Sequence, residues 1–326
     1  MEIMTAWKEQ GICEYPMALC PESGYEMESM STVFGAFINH ETFDEKMLAT
    51  KPVIMWDGVK EGFGYLNQLY NAGLIQPDWA QYTDDTQYKN WVTNGKVGFW
   101  SHSAGHGMGI NEYVYSLYLN DSEAEVVPVV VTNDQGVPAL VDQYVPYGMD
   151  IVVPAYSEHV TEAVMYLDWL ADYDNYEIIQ YGFENEHFVY LENGVHDTRV
   201  VAENAVRKIQ PGDLAIVFNG NPKADVYEGE QRIRAEANNG FLADLSMAAG
   251  RASRVNTYIP YSFNVLIQAE TDYSVALGEK IVELQVKAIT CPAEEFDATY
   301  DGLINEYLEM GGQEVIDEKT AVYDAQ

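Results

Sequence analysis

Residues 144–188 read YVPYGMDIVVPAYSEHVTEAVMYLDWLADYDNYEIIQYGFENEHF. Met149–Val153 is a short apolar run closed by Pro154, which predicts a buried strand. A helix follows, with Ser157 or Thr161 as its cap and Val160, Val164, Leu167 and Leu170 as its predicted core face. A second, shorter helix carries Ile178 and Ile179 and stops at Gly182. A strand feeding two helices within one short stretch predicts α/β rather than all-α or all-β.

The same alternation continues on both sides. Upstream, residues 57–73 (DGVKEGFGYLNQLYNAG) place Val59, Phe63, Leu66 and Tyr70 at helical spacing, with Asp57 as the predicted cap and Gly73 past the end. A shorter helix over 84–94 shows Tyr88, Trp91 and Val92 on one face. Gly95 breaks it, and Val97–Trp100 reads as a short buried strand. VVPVVV at 126–131 predicts another strand, with Pro128 marking an edge or bulge. Downstream, 190–255 mixes charged turns with one small helix around 241–250. The C-terminal end carries helices over 273–289 and 293–310. In the second, Phe296, Tyr300, Leu303, Ile304, Tyr307 and Leu308 form one apolar stripe, ended by Gly311 and Gly312. No internal repeat or low-complexity segment is present.

Composition narrows the function. The chain has 326 residues, enough for two domains of about 150 residues. Its 17 Lys and Arg against 52 Asp and Glu give a formal charge of −35. Phosphate neutralisation needs clustered cations, so nucleic acid is excluded as a partner, and adsorption to an anionic membrane is disfavoured. At 47% hydrophobic residues the chain can bury a core. No run of apolar residues is long enough to span a bilayer. The N-terminus MEIMTAWKEQGICEYP lacks the pattern of a signal peptide. Three cysteines, Cys13, Cys20 and Cys291, leave at least one thiol unpaired within the chain, and Cys13 and Cys20 can close a short loop.

Chemistry concentrates in two stretches. In VGFWSHSAGHGMG (97–109) a strand delivers Trp100 to its end, and a loop of small residues follows. Trp100 can stack on a sugar ring while His102 and Ser103 supply hydrogen bonds. Equally, Trp100 can plug the end of a sheet. In DQYVPYGMD (142–150), Tyr144 and Tyr147 stand with Asp142 and Asp150 around a Pro and a Gly. Flat apolar faces with polar tips suit hydroxyl-rich ligands, although an ordinary crossover loop with buried tyrosines fits too. His102 and His106 have metal-pair spacing, but the glycines between and around them oppose the helix such a pair needs, and no metal site is expected. Asp172, Asp174 and Glu177 miss the glycine and final glutamate of a calcium loop. No nucleophile elbow, phosphate loop or dinucleotide fingerprint occurs.

Block order is more telling than any single block. LYNAGLIQPDWA (69–80) is followed by a short helix and NGKVGFWSHSAGH (94–106), then by 144–188, and at the end by FDATYDGLINEYLEMGGQEVIDEKTAVYD (296–324). This order resembles the family 1 extracellular solute-binding proteins, receptors of ABC-type sugar importers, and in particular their large lipoprotein subgroup. The resemblance is strongest at 57–109 and 144–190, moderate at 290–326 and weak at 195–255.

What the resemblance implies is a two-lobe, class II periplasmic-binding-protein-like α/β fold. Residues 1–146 would form the second lobe, 147–258 a remnant of an incomplete first lobe, and 259–326 the return to the second lobe. The implied protein is an extracellular, lipid-anchored, monomeric receptor without catalysis or cofactor. It would capture a carbohydrate, most naturally an oligosaccharide, and deliver it to the membrane permease subunits. Implied cleft residues are Trp100, His102, Ser103, Tyr144, Tyr147 and Asp150, with Trp56 before a helix cap and Tyr261 and Asn264 at the second crossing between lobes. Such receptors begin with a signal peptide, a lipid-modified cysteine and a first half-lobe, so the resemblance implies that roughly the first third is lacking here. A carboxylate-dependent enzyme acting on polysaccharide and a surface protein-interaction module remain as alternatives.

Overall fold

The computed structural model describes residues 1–21, 27–82, 84–102, 113–143, 151–192, 194–197, 232 and 240–326. They form a mixed α/β chain, rich in helix, with strands of two or three residues. The chain divides into two compact units, Met1–Pro146 with Ala249–Gln326, and Tyr147–Ala248.

The first unit contains α1 (Glu2–Glu9), β1 (Tyr15–Met17), α2 (Glu28–Phe34), α3 (Glu45–Thr50), α4 (Val59–Asn71), α5 (Thr86–Thr93), β2 (Val97–Phe99), α6 (Tyr115–Asn120) and β3 (Val141–Asp142). Parallel pairing joins β1 to β2, Tyr15 opposite Val97 and Met17 opposite Phe99. On its other side Met17 bridges Ile75. Beyond that bridge a side chain continues the ladder. The Gln76 amide accepts from Leu19 N (3.2 Å) and donates to Leu19 O (2.9 Å), both residues being buried. A buried primary amide here does the work of a strand, because an unpaired backbone group would be costly.

α4 forms as its spacing predicts, with Val59, Phe63 and Leu66 buried. Its cap differs: Gly58, at φ +95°, precedes the helix, and no side chain caps it. Gly62 lets α2 approach, since a Cβ there would lie 2.5 Å from Phe34 Cα. Phe34 and Phe63 stack across this contact at 5.8 Å. The stretch 126–131 forms no strand. Val127 and Val129 are exposed, and cross-chain pairing begins only where Ala139 N donates to Val131 O (2.8 Å). Pro128 lacks a donor, and a β-branched run without a partner gains nothing from its propensity.

The second unit, in its described part, holds α7 (Val160–Ala171), α8 (Tyr173–Gln180) and the antiparallel pair β4 (Val189–Tyr190) and β5 (His196–Asp197). Asp172 caps α8 by accepting from Asp174 N and Asn175 N. Residues 151–153, predicted as part of a buried strand, are in no strand, and Ile151 and Val152 are exposed. α7 matches its predicted span, yet Val160 and Val164 of its predicted core face are exposed while Leu170 is buried. Among the described residues α7 packs on α8, and that contact covers only the C-terminal end of its apolar face.

α9 (Ala243–Ala252) leads back to β6 (Thr257–Tyr258), which pairs in parallel with β3. The first unit then closes with α10 (Gln268–Thr290), α11 (Phe296–Tyr307) and α12 (Gln313–Asp324). α10 buries Leu277, Ile281, Leu284 and Ala288 at helical spacing against the core. α11 ends before the predicted point. Residues 308–312 form a wide turn with Gly311 at φ +119°, and the chain resumes as α12.

Ile267 supplies no side-chain cap to α10, and Cys291 supplies only a thiol bond, Sγ to Ala288 O (3.3 Å). Other helices do the rest. The Glu318 carboxylate of α12 accepts from Gln268 N (2.9 Å) and Ala269 N (2.7 Å). At the other end Asn67 Nδ2 of α4 lies 3.0, 3.2 and 2.9 Å from the carbonyl oxygens of Ala288, Ile289 and Cys291. Two amide hydrogens are thus shared among three carbonyls, of which Cys291 O also accepts from Asn71 Nδ2 (3.1 Å) and Ala288 O from Cys291 Sγ. Asn67→Ala is expected to lower stability by about 1–3 kcal/mol, because it removes the side-chain donor to the buried Ile289 carbonyl. Urea unfolding checks this, and an unchanged midpoint would refute the capping role.

The two N–H donors, Ala269 first, hold the Glu318 carboxyl below its ordinary value of 4.5. A depressed carboxylate stabilises the fold above that ordinary value. Its contribution disappears as the pH falls through the depressed one. Glu318→Gln should therefore lower the unfolding midpoint at neutral pH and flatten its decline on acidification, read by thermal melts from pH 7 to pH 3.

Candidate functional site

α5 and β2 build the first candidate site. Asp85, Tyr88 and Lys89 lie one helical turn apart on α5 or just before it, so their side chains share a face. Gly95, at φ +64°, ends the helix and turns the chain into β2. Gly98 keeps β2 close to α1, because a Cβ there would meet the Trp7 ring at 2.6 Å. β2 ends at Phe99 and delivers Trp100 half-buried at its tip.

Three aromatic rings meet there around Tyr113, which is itself 1% exposed. Trp100 stacks on it at 5.3 Å and 13°. His102 lies tilted against it at 4.8 Å, and Tyr88 meets it edge-on at 6.0 Å. The Tyr113 hydroxyl donates to Asp85 Oδ2 (3.1 Å), and Lys89 Nζ sits 5.7 Å from the ring centroid. Between Trp100 and His102 the backbone is fixed as well. Tyr88 donates its hydroxyl hydrogen to Ser101 O (2.6 Å) and accepts from Ser101 N (3.1 Å). Trp100 and His102 are thus brought together on a rigid support, both half-buried.

The remaining sequence candidates are placed differently. Ser103, Tyr144, Tyr147 and Asp150 lie outside the described residues. Trp56 is a packing residue. It is 5% exposed, donates Nε1 to Lys51 O (3.0 Å) and meets Phe43 and Tyr258 edge-on, each at 5.3 Å. No open face is left for a ligand, which removes it from the expected set. Tyr261 is half-buried against the end of α12, donating its hydroxyl to Gln326 Oε1 (2.8 Å) and meeting Tyr323 at 5.6 Å. Asn264 is exposed nearby in sequence. Among the described residues, neither Trp56 nor Tyr261 has a ring or hydrogen-bond contact with Trp100 or His102.

Sequence reasoning missed Tyr113, Asp85 and Lys89. The available signal was the spacing of Asp85, Tyr88 and Lys89, which puts all three on one helical face. Nothing local marks Tyr113 as their target.

The second unit holds a separate polar cluster. His196 is buried, with Nε2 2.7 Å from Glu177 Oε1. Tyr190 donates its hydroxyl to the same carboxylate oxygen. Tyr181 stacks on the imidazole at 3.9 Å and 3°, and Phe188 meets it edge-on at 4.7 Å. Burial and the neighbouring Glu177 push the Tyr190 phenol well above its ordinary value, so it stays a donor. This arrangement joins α8 to the β4–β5 hairpin.

None of Cys13, Cys20 and Cys291 is in a disulfide. Burial pushes the Cys13 thiol up, against a lowering backbone contact from Gly98. Among the described residues no group of three or more His, Cys, Asp or Glu is placed to hold a metal ion. No described helix is long and apolar enough to cross a membrane.

No protein-family model matches the chain, and no curated protein matches it.

Tyr88→Phe removes both bonds to Ser101 while keeping the ring. The expected cost is about 1–2 kcal/mol of stability, with a changed near-ultraviolet circular dichroism signal from the Trp100 cluster. An unaltered spectrum would show that Ser101 is held by other means.

Proposed function

We propose that this chain is the substrate-binding receptor of an ABC-type importer. It captures a carbohydrate by aromatic stacking and hydrogen bonds and has no catalytic role. The observation that carries this reading is the Trp100–His102 platform at the tip of a parallel strand. Half-burial leaves part of the indole able to meet a ligand, and His102 stands beside it as a hydrogen-bonding group. A pyranose presents an apolar C–H face ringed by hydroxyls, and an indole with an adjacent polar group complements both.

A second feature supports the finer, two-lobe form of the reading. The chain runs towards the second unit just after β3 and comes back just before β6. These two passages are paired in parallel, Val141 opposite Thr257 and Asp142 opposite Tyr258. Thr257 Oγ1 donates to Gln143 Oε1 (2.7 Å), and Asn256 Nδ2 donates to Pro138 O (2.8 Å). Twin strands of this kind suit a hinge, which closure on a sugar needs and a permease can sense. On this reading the receptor is extracellular and lipid-anchored, and its protein partners are the permease subunits.

Thermal unfolding against maltotetraose, cellotetraose, xylotetraose, raffinose and N-acetylchitotriose tests the proposal. A ligand bound only by the native state raises stability by about 2.7 kcal/mol at 100 times its Kd. One sugar class is expected to raise the midpoint in this way, and Trp100→Ala to abolish the rise while leaving a cooperative transition. Sugar hydrolysis by the chain would favour the polysaccharide-enzyme reading instead. Indifference to every sugar would overturn carbohydrate capture.

A further inference from the structure

We infer that Tyr113 is the positioning residue of this site, held in place by Asp85 and Lys89. The inference rests on the carbohydrate reading of the Trp100 platform and assigns the device that makes the platform rigid. At 1% exposure Tyr113 cannot itself offer a face to a sugar. Its ring is nevertheless the common partner of Trp100, His102 and Tyr88. Stacking at 13° sets the indole parallel to the Tyr113 ring, and half-burial leaves part of its surface open.

The ring in turn is fixed from two directions. The hydroxyl bond to Asp85 fixes the tip of the ring, and the Lys89 ammonium lies 5.7 Å from its centroid. Asp85 is exposed and Lys89 half-buried, so their work on the ring is separable from the buried core.

A tryptophan free to change rotamer must be ordered when a sugar binds, and that ordering weakens affinity. A tryptophan already stacked on an immobile ring is ordered beforehand. Tyr113 therefore acts on affinity without touching the sugar. Loss of one such constraint should weaken binding by about 3- to 10-fold.

The test is titration calorimetry of the whole chain with the member of the five-sugar panel that raises the unfolding midpoint most. Tyr113→Leu keeps apolar bulk but removes the stack. It is expected to weaken binding by about 3- to 10-fold and to remove the near-ultraviolet signature of the Trp100–Tyr113 pair. Tyr113→Phe keeps the stack and loses only the Asp85 bond, so it should weaken binding by less than Tyr113→Leu, by about 2-fold. A purely structural Tyr113 would lower the unfolding midpoint in Tyr113→Leu but leave the Kd of the folded protein unchanged, and that result overturns the inference while the carbohydrate reading stands. Should Tyr113→Leu fail to fold, the double variant Asp85→Ala, Lys89→Gln decides, since it removes both the acceptor and the ammonium. A weaker Kd, by about 2- to 4-fold at an unchanged midpoint, supports positioning, and an unchanged Kd refutes it. A parent chain that binds none of the five sugars overturns the carbohydrate reading, and this inference with it.

Discussion

The architecture of the first unit depends on how the two ends of α10 are closed. A helix of 23 residues presents unpaired N–H groups at one end and unpaired carbonyls at the other. Ile267 supplies no side-chain cap and Cys291 only a weak thiol bond to Ala288 O, so both ends draw partners from other helices. Glu318 of α12 and Asn67 of α4 provide them. Asn67 and Ala288 are 221 residues apart in sequence. The contact therefore forms only after the chain has left for the second unit and returned. The cost of closing so long a loop grows only slowly with its length, but it must be met before the cap gives anything back. This makes α10 the element that commits the C-terminal segment to the N-terminal core. Lys319 reinforces the same junction by donating to Glu270 (2.7 Å), so two successive residues of α12 grip the first turn of α10.

The site inherits its geometry from that core through a short chain of contacts. Met17 and Leu19 are fully buried among α4, α10 and the 74–76 segment. The Gln76 amide and the Met17–Ile75 bridge fix β1 on one side, which in turn fixes the register of β2 on the other. Register matters because a slip of one residue would send the side chains of β2 to the opposite face and displace Trp100 from its approach to Tyr113. α5 then locks the residues after the strand through Tyr88 and Ser101. Rigid support of this kind is what lets a loop residue serve in recognition.

Legibility in the sequence followed locality. α4 and α11 announced themselves because their apolar residues repeat at helical spacing and the pattern needs no knowledge of the partner. The strand at 126–131 misled for the converse reason. A β-branched run becomes a strand only when another segment pairs with it, and pairing is not written in the run itself. α7 shows both sides. Its period was readable, but the burial of Val160 and Val164 depended on what packs against them. Asn67 and Gln76 escaped notice altogether, because apolar patterning passes over polar residues, and a buried amide reveals itself only when the backbone groups it satisfies are in view. Trp56 was legible as a large aromatic before a helix. Whether its indole would face a ligand or Lys51 O was not.

For Trp100 the sequence left open an opposition between plugging a sheet and meeting a ligand, and on the proposed reading both hold. The two roles use different parts of the same residue. One indole face stacks on Tyr113, an arrangement worth about 0.5–1.5 kcal/mol beyond simple burial, and this is the plug. Half-burial means that the covering is partial, and the uncovered part is what recognition requires. A fully exposed tryptophan would be disordered before binding, and a fully buried one would be unreachable. On the proposed reading the intermediate position, backed by a buried tyrosine that is itself anchored by a carboxylate and an ammonium, makes the packing contact the precondition of the binding surface. Stability and recognition are then coupled at one ring pair, and a substitution there separates them only if it keeps the stack.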